Sequence, residues 1–403
     1  MIAPKIRFPE FHGEYVNDSL SEISDRVRRK NSDNQTDIPL TIASIEGLVD
    51  QRTYFGKTVA SKDMSGYYLL QNGEFAYNKS YSKGFPVGSI KRLDKYAQGA
   101  LSTLYICFAL KDDADVTSDY LVQYFNSPAW YEAVNEVCAE GARNHGLLNV
   151  SPDDFFATTH HFAPTKEEQD KVAAFLSLYD QKIENQMAKV EALETRRKGL
   201  LQQIFSQKIR FRADDGSKFP DWEPTPFGDV IEPFTIKTKT ENEDTLLSCA
   251  IEGMFLNSEL FDHQRGASNK GYLKIKLGTL ILSAQNLHLG NANVNLRFEH
   301  GIISPAYKTY NVTGCLPEFM GVWVKREAAK KFFFDATTTG ASQCRRNVDW
   351  DKLYSQEMEI PCEAEQRKIS AFVTLVDKQI QIEKGKLEAI KQVKKGLLQQ
   401  MFV

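Results

Sequence analysis

The side chains that could do chemistry in this 403-residue chain do not form a catalytic constellation. The phosphate-binding strings GxxxxGKS and GxxxxGKT are missing, and no GxGxxG turn follows a predicted strand. The amino-methyltransferase strings Asp-Pro-Pro-Tyr and Asn-Pro-Pro-Tyr are also missing. His160-His161 is the one histidine pair, and no further ligands follow at metal-site spacing, so we expect a surface or capping role for it. The sequence therefore predicts a non-enzymatic chain without a metal site.

Several predicted loops instead combine Lys and Arg with Asn, Gln, Ser and Tyr, the side chains that hold phosphates and read base edges. The candidate DNA-binding residues in the N-terminal half are Arg28, Arg29, Lys30, Asn78, Lys79, Ser80, Tyr81, Lys83, Arg143 and Asn144. Those in the C-terminal half are Lys237, Lys239, Asn269, Lys270, Gln285, Asn286, Arg345 and Arg346. Lys91-Arg92 has the same character. One such loop alone is more often solvated surface, but matched sets in both halves favour a nucleic-acid partner.

Composition sets limits on this interpretation. The formal net charge is −3 and the pI is about 6.2, so DNA binding has to come from local basic patches. The hydrophobic content of 42% is that of a globular protein, and the length suggests two or three domains. Six scattered cysteines without a CxxC string indicate reduced thiols. No signal peptide and no apolar run of membrane-spanning length occur, so we expect a cytoplasmic protein.

The elements that must position these loops are organised by a repeat. The segments 164–205 and 361–402 align without a gap, and roughly 19 of about 42 positions are identical, including the ends Lys-Gly-Leu-Leu-Gln-Gln. Lys5-Ile6-Arg7-Phe8 returns as Lys208-Ile209-Arg210-Phe211, which we call the two KIRF segments. Shorter matches in between keep an offset near 200. The chain therefore reads as head, helix, head, helix.

Each repeated segment has apolar residues every three or four positions, which predicts an amphipathic helix. Pro164 and Pro361 precede the pattern, and Thr165 is a candidate N-cap. About 38 helical residues span roughly 57 Å, too long to be buried against one small domain. We therefore expect the two helices to pair as an antiparallel coiled coil, although burial in two separate cores remains the alternative. Gly199 and Gly396 could bend the helix ends.

We predict an α+β fold with two diverged heads and four segments, at 1–163, 164–207, 208–360 and 361–403. Strands are expected at Pro39–Ile45, Tyr67–Leu70, Glu74–Tyr77 and Leu101–Ala109, and at Thr245–Ile251, Leu280–Ser283, Gly301–Ser304 and Tyr307–Val312. Helices are expected at Ser118–Asn126, Pro128–Glu140, Leu316–Lys325 and Glu327–Asp335.

This organisation resembles the specificity (S) subunits of type I restriction–modification enzymes. The likeness covers the whole chain and rests on the order of heads and helices, the helix ends and the KIRF segments. It implies two target recognition domains, each reading one half of a split, asymmetric site in double-stranded DNA. It also implies that the helices set the spacer and dock two modification (methyltransferase) subunits, and that ATP-dependent restriction subunits join the complex. S-adenosylmethionine, ATP and Mg are then expected on those partners and not on this chain.

Two other functions stay open from the residues alone. The near-neutral charge is compatible with a coiled-coil scaffold that binds only proteins. A nuclease fused to a recognition domain is disfavoured by the missing metal and nucleotide motifs.

Overall fold

The computed structural model describes residues 3–57, 59–82, 84–138, 148–261, 268–342 and 345–403, without the side chains of residues 339–342 and 345. The chain divides into two compact units. The first unit contains residues 1–188 and 384–403, and the second contains residues 189–383. Two long α-helices, Lys166–Phe205 and Glu363–Gln400, each contribute residues to both units.

The first unit contains two four-stranded sheets. One is antiparallel, in the order Ser24–Arg26, Ile106–Leu110, Phe75–Asn78, Ser89–Arg92. The other has the order Gly47–Asp50, Pro39–Ala43, Gln98–Leu101, Tyr68–Gln71, and its one parallel step joins Pro39–Ala43 to Gln98–Leu101. Val16–Ser19 pairs separately with Thr159–Phe162. Short helices lie at Leu20–Ile23, Gln51–Phe55, Ser118–Asn126, Tyr131–Val137 and Pro152–Ala157, with a 3₁₀ turn at Ser32–Asn34.

The second unit repeats this plan. Its antiparallel four-stranded sheet has the order Ile231–Pro233, Tyr307–Val312, Leu280–Ser283, Ala292–Val294. A three-stranded sheet follows the order Ile236–Lys237, Leu273–Lys276, His300–Ile303, beside the hairpin Leu247–Ala250 and Gly253–Leu256. Glu223–Pro226 pairs with Glu357–Ile360, and Thr337–Ser342 with Arg345–Val348. Helices lie at Asn257–Leu260, Pro317–Val324, Glu327–Asp335 and Trp350–Ser355, with 3₁₀ turns at Phe227–Val230 and Leu287–Leu289.

One close approach shows that the correspondence extends to single residues. In both units a hairpin strand runs parallel to a strand containing a repeated glycine, Gly99 or Gly301. A Cβ atom on either glycine would lie 2.4 Å from a leucine Cδ1 atom, that of Leu40 or Leu247. A larger residue at either position would force the leucine side chain to shift, so these glycines mark the same close contact in two copies of one fold.

The two long helices pack against each other and run in opposite directions. In the second unit, Lys189 pairs with Glu383 at 3.1 Å, and Arg197 pairs with Asp377 further along the first helix. Because the partner's number falls as the first helix advances, the pairing is antiparallel. In the first unit Lys394 pairs with Asp180 in the same sense. The predicted fold class, with its antiparallel helix pair and internal duplication, is confirmed.

The helix termini behave largely as predicted. The Thr165 hydroxyl accepts a hydrogen bond from the Glu168 amide at 3.3 Å, which confirms the cap. The α-helix continues without interruption through Gly199 and Gly396, so neither glycine ends it.

Both KIRF segments dock against the long helices in the same way. The Ile6 amide donates to the carbonyl of Gln400 at 2.9 Å, and the Ile209 amide donates to that of Gln203 at 3.2 Å. The arginine of each segment forms an ion pair with the buried glutamate of a helix start, Arg7 with Glu168 and Arg210 with Glu365. The phenylalanines pack edge-on, with Phe8 against Phe175 and Phe211 against Phe372, both at 5.7 Å between ring centroids. The motifs repeated in the sequence are therefore in physical contact within each unit.

The predicted single strand Leu101–Ala109 is wrong. A turn separates Gln98–Leu101 from Ile106–Leu110, with the Tyr105 amide donating to the Ser102 carbonyl at 3.2 Å. Leu104 in this turn is 70% exposed, so the apolar run there is not a buried strand. Helices Ser118–Asn126 and Glu327–Asp335 have the predicted bounds.

Candidate nucleic-acid interface

A buried polar residue anchors the first basic segment of the first unit. Asn31 is fully buried, and its amide nitrogen donates to the Thr36 carbonyl at 3.1 Å while its amide oxygen accepts from the Thr36 amide at 3.0 Å. The backbone amide of Asn31 donates to the Tyr67 carbonyl at 2.9 Å. These bonds fix the backbone directly after the predicted contact residues Arg28, Arg29 and Lys30.

These three cations have different environments. Arg29 donates to both carboxylate oxygens of Glu74 at 2.8 Å, and Lys30 donates to the Gly66 carbonyl at 2.9 Å while its Nζ lies 4.2 Å from the Tyr68 ring centroid. Arg28 is exposed and has no partner among the described residues. Arg28 is therefore the cation of this segment that is free to meet a phosphate.

The hydrogen-bonded segment around Asn31 has an equivalent in the second unit, and we call each of these two segments a corner. Other residues form the corner of the second unit. The Thr238 amide donates to the Tyr272 carbonyl at 2.8 Å, and its hydroxyl donates to the Asn269 carbonyl at 2.9 Å. Asn269 is almost fully buried, and its side chain exchanges hydrogen bonds with Asn242 at 2.7 and 2.8 Å. Asn269 thus holds the corner together and does not present a free amide at the surface. The structure brings Lys237, Lys239 and Lys270 to this corner as exposed cations.

A second loop pair follows equivalent central strands. In the first unit, Asn78 accepts from the Ser80 amide at 3.0 Å and closes a turn that exposes Tyr81. Lys79 donates to the Val150 carbonyl at 3.3 Å and is half-buried. In the second unit, Gln285 and Asn286 are exposed at the turn after Leu280–Ser283. The same strand end therefore presents a lysine and a tyrosine in one unit and two amides in the other.

The remaining predicted contacts are less available. Arg346 donates through Nε to the Thr337 hydroxyl at 2.6 Å and lies 4.1 Å from the Phe334 ring centroid, so it is part of the hairpin's own packing. Lys83, Arg143 and Asn144 lie outside the described residues, as does the side chain of Arg345.

Lys91 is partly buried and hydrogen-bonded, so it is not a free surface cation. Its ammonium donates to the Asn126 side-chain oxygen at 2.6 Å, and burial lowers the pKa of Lys91 to about 8. In the second unit the equivalent positions hold Asn293 and Lys325, which make the same contact with the two residue types exchanged. Burial lowers the pKa of Lys325 to about 8 as well. The sequence did not reveal these lysine–asparagine contacts, because the two residues are far apart in the chain and the sequence around one does not indicate the other.

The histidine pair also differs from expectation. His160 is a buried strand residue and not a surface or capping group, with Nδ1 3.0 Å from the Tyr124 hydroxyl and Nε2 2.8 Å from the Thr158 hydroxyl. Burial lowers its pKa to about 4. In the described part of the chain, no group of three His, Cys, Asp or Glu side chains could hold a metal ion. None of the described helices is long and apolar enough to span a bilayer.

Comparisons with known proteins bear on the fold. No family model matches the chain. A chain from a structure on complex assembly and conformational transition of the type I restriction–modification system superposes with a TM-score of 0.58 at 13% identity, over 96% of this chain and 97% of that one. The type I restriction–modification S subunit from M. genitalium gives a TM-score of 0.54 at 13% identity, over 100% and 99% of the two chains. At this identity the likeness shows a shared fold: the chain has the fold of a type I restriction–modification S subunit.

Proposed function

We propose that this chain is the sequence-specific, non-catalytic DNA-binding specificity subunit of a type I restriction–modification complex. Each unit reads one half of a bipartite, asymmetric site in double-stranded DNA. The long helices set the distance between the half-sites and dock two modification subunits, with restriction subunits joining for cleavage. The complex works in the cytoplasm.

One observation carries the proposal. The two units share the strand order of their antiparallel four-stranded sheets, the hydrogen-bonded corner and the packing of the KIRF segment against the long helices. Equivalent loops nevertheless present different side chains. One corner offers Arg28 and the other offers Lys237, Lys239 and Lys270. Cations at both corners supply phosphate contacts, whereas differing amides and aromatics beside them supply base discrimination. A duplicated fold with unlike reading loops is what recognition of two unlike half-sites requires.

The outer faces of the long helices suit protein partners. Large apolar side chains stay exposed there, with Leu375 67% exposed and Leu178, Met187 and Val393 about half exposed. Contiguous exposed apolar patches mark protein interaction surfaces, and we infer that these side chains belong to one. We assign S-adenosylmethionine, ATP and Mg to the partner subunits, because the sequence holds none of the motifs that would bind them.

The decisive test compares adenine methylation in the host genome with and without this gene. The expected result is a bipartite methylated motif that disappears on deletion, and replacement of residues 208–360 should alter one half of that motif only. Base flipping and methyl transfer would then belong to the partner. An unchanged set of methylated motifs would refute the proposal.

A protein-binding scaffold without DNA readout is the alternative, favoured only by the exposed apolar side chains and the near-neutral charge. Duplex DNA affinity of the chain with its modification subunits separates the two. Specificity subunits should bind with an affinity that falls steeply with salt, since phosphate contacts release counterions. A scaffold should show no sequence preference at any salt concentration.

A further inference from the structure

A cavity of about 600 Å³ lies in the second unit, outside the candidate DNA-contacting loops. One wall is the end of the first long helix, including Leu201 and Phe205. The other wall is the junction between helices Pro317–Val324 and Glu327–Asp335. The volume of the cavity is in the range of small-ligand sites. The cavity combines apolar walls with an arginine, Arg326, at that junction.

Arg326 lies against two aromatic rings. Its guanidinium carbon lies 3.9 Å from the Phe205 ring centroid and 4.9 Å from that of Trp323, and Nε donates to the Trp323 carbonyl at 3.2 Å. The two terminal nitrogens have no hydrogen-bond or ion-pair partner among the described residues. Burial lowers the pKa of Arg326 to about 10. Arg326 is partly buried against the two rings and has no carboxylate partner among the described residues, so its terminal nitrogens are available to an anionic occupant.

The other charged groups at the cavity are largely committed elsewhere. Arg197 forms its ion pair with Asp377, and Lys325 donates to the Ile251 carbonyl at 2.6 Å and to Asn293. Glu327 is an exposed carboxylate at the rim. Lys198 is an exposed cation with no partner in the described part of the chain. The cavity therefore offers one fixed guanidinium fork and one flexible ammonium, against one carboxylate at the rim.

The first unit lacks this cation. The residue equivalent to Arg326 is Ser127, which is fully buried and donates to the Tyr124 carbonyl at 2.6 Å. Phe402, equivalent to Phe205, packs on Tyr120 and Tyr124. The shared fold thus does not need an arginine at this junction between two helices, which argues against a purely structural role for Arg326.

We propose that the cavity binds a carboxylate carried on an apolar stem. The planar fork of Arg326 pairs with a planar carboxylate through two hydrogen bonds, Lys198 closes over it, and Leu201 and Phe205 cover the stem. A monovalent carboxylate matches the single fixed cation better than a phosphate dianion does. This inference does not depend on DNA recognition, because the cavity shares no residue with the proposed reading loops.

Calorimetric titration of the full chain with benzoate tests the proposal, with benzamide as the neutral isostere. Benzoate should bind, and benzamide should bind at least about tenfold more weakly, since hydrogen bonds to charged groups are worth this much or more. Arg326→Met should weaken benzoate binding by a similar factor while leaving the free chain at least as stable to heat. Lys198→Met, an exposed change that cannot disturb the core, should weaken binding severalfold. Arg196→Met, on the same helix but outside the cavity, should change nothing.

Three results would overturn the proposal. Benzoate could fail to bind at millimolar concentration, or bind equally well to the Arg326→Met chain. Inorganic phosphate could bind in place of benzoate with the same dependence on Arg326, which would assign the wrong anion class. DNA affinity is measured separately, so failure here leaves the proposed function standing, and failure of DNA binding leaves this site standing.

Discussion

Glu168→Gln should destabilise the first unit strongly, because it removes one charge from a buried ion pair. Nε and Nη2 of Arg7 each lie 2.7 Å from a different carboxylate oxygen of Glu168, whose side chain is 1% exposed. Arg7 also donates to the carbonyls of Gly13 and His12 at 2.7 and 3.1 Å, so it cannot swing out without losing those bonds. Glutamine keeps the shape of the side chain but leaves the partly buried Arg7 guanidinium without its counter-charge.

Breaking a buried pair on one side costs about 3 kcal/mol. For a unit of about 200 residues, each kcal/mol shifts the melting temperature by about 2–4 °C, so the expected drop is about 6–12 °C. The assay is calorimetric unfolding, in which only the transition of the first unit should move. Glu388→Gln is the matched control, since Glu388 pairs with Lys391 on the exposed surface of a long helix and should cost under about 0.5 kcal/mol.

The double variant Arg7→Met/Glu168→Leu should recover most of the loss, because no unpaired charge remains. Glu365→Gln should act likewise on the second unit, where the Trp222 Nε1 group also donates to the Glu365 carboxylate at 3.0 Å and can still donate to the glutamine oxygen. A drop of less than 2 °C for Glu168→Gln, or a double variant worse than the single one, would refute the view that this pair anchors the KIRF segment to the helix.

Three further predictions concern DNA contact, pH and spacing. Arg28→Ser in the assembled complex should reduce the slope of log DNA affinity against log salt concentration by about 1, without altering the sequence preference. Arg29→Ser should in addition release Glu74 and destabilise the loop. An unchanged slope for Arg28→Ser would show that Arg28 does not contact DNA. The pKa of His160 is about 4 in the folded chain, against an ordinary 6.5, so the unfolded chain binds a proton that the folded chain does not. The free energy of unfolding should therefore fall by up to about 3 kcal/mol as the pH drops from about 6.5 to about 4. His160→Gln should flatten that dependence in urea titrations, and an unchanged pH profile would contradict it. Inserting four residues into each long helix, about 6 Å, should lengthen the unread spacer by roughly two base pairs in the methylated motif; a fixed spacer would disprove the ruler.

The sequence was most informative about the long helices, because their apolar stripe is local, periodic and present twice. The sequence also predicted the bounds of helices Ser118–Asn126 and Glu327–Asp335 correctly, because their apolar pattern is local and periodic. Strand pairings are non-local, and the break between Leu101 and Ile106 depends on which sheet each half joins. An apolar run cannot report that change of sheet, so the error there has a physical origin.

The sequence could not show which candidate contact residues are free at the surface, since residue type does not fix where a polar side chain points. Asn269 is buried and Lys91 is partly buried, and each is hydrogen-bonded to a residue remote in the chain. Arg28 and Lys237 have the same composition signal and remain exposed. The difference lies in tertiary partners, which only the structure supplies.

The pattern of what is identical and what differs between the repeats supports exchangeable units. Identical residues such as Arg7/Arg210 and Glu168/Glu365 pair with each other inside one unit, so either unit carries its own anchors. The Lys91–Asn126 and Asn293–Lys325 contacts show that an exchange of residue types was matched within each unit. A partly buried ammonium needs a hydrogen-bond acceptor, and an amide oxygen on either element can supply it, so the lysine stays paired in both units. Surface loops can then differ in one unit without disturbing the other, which is the physical condition that the proposed recognition of two independent half-sites requires.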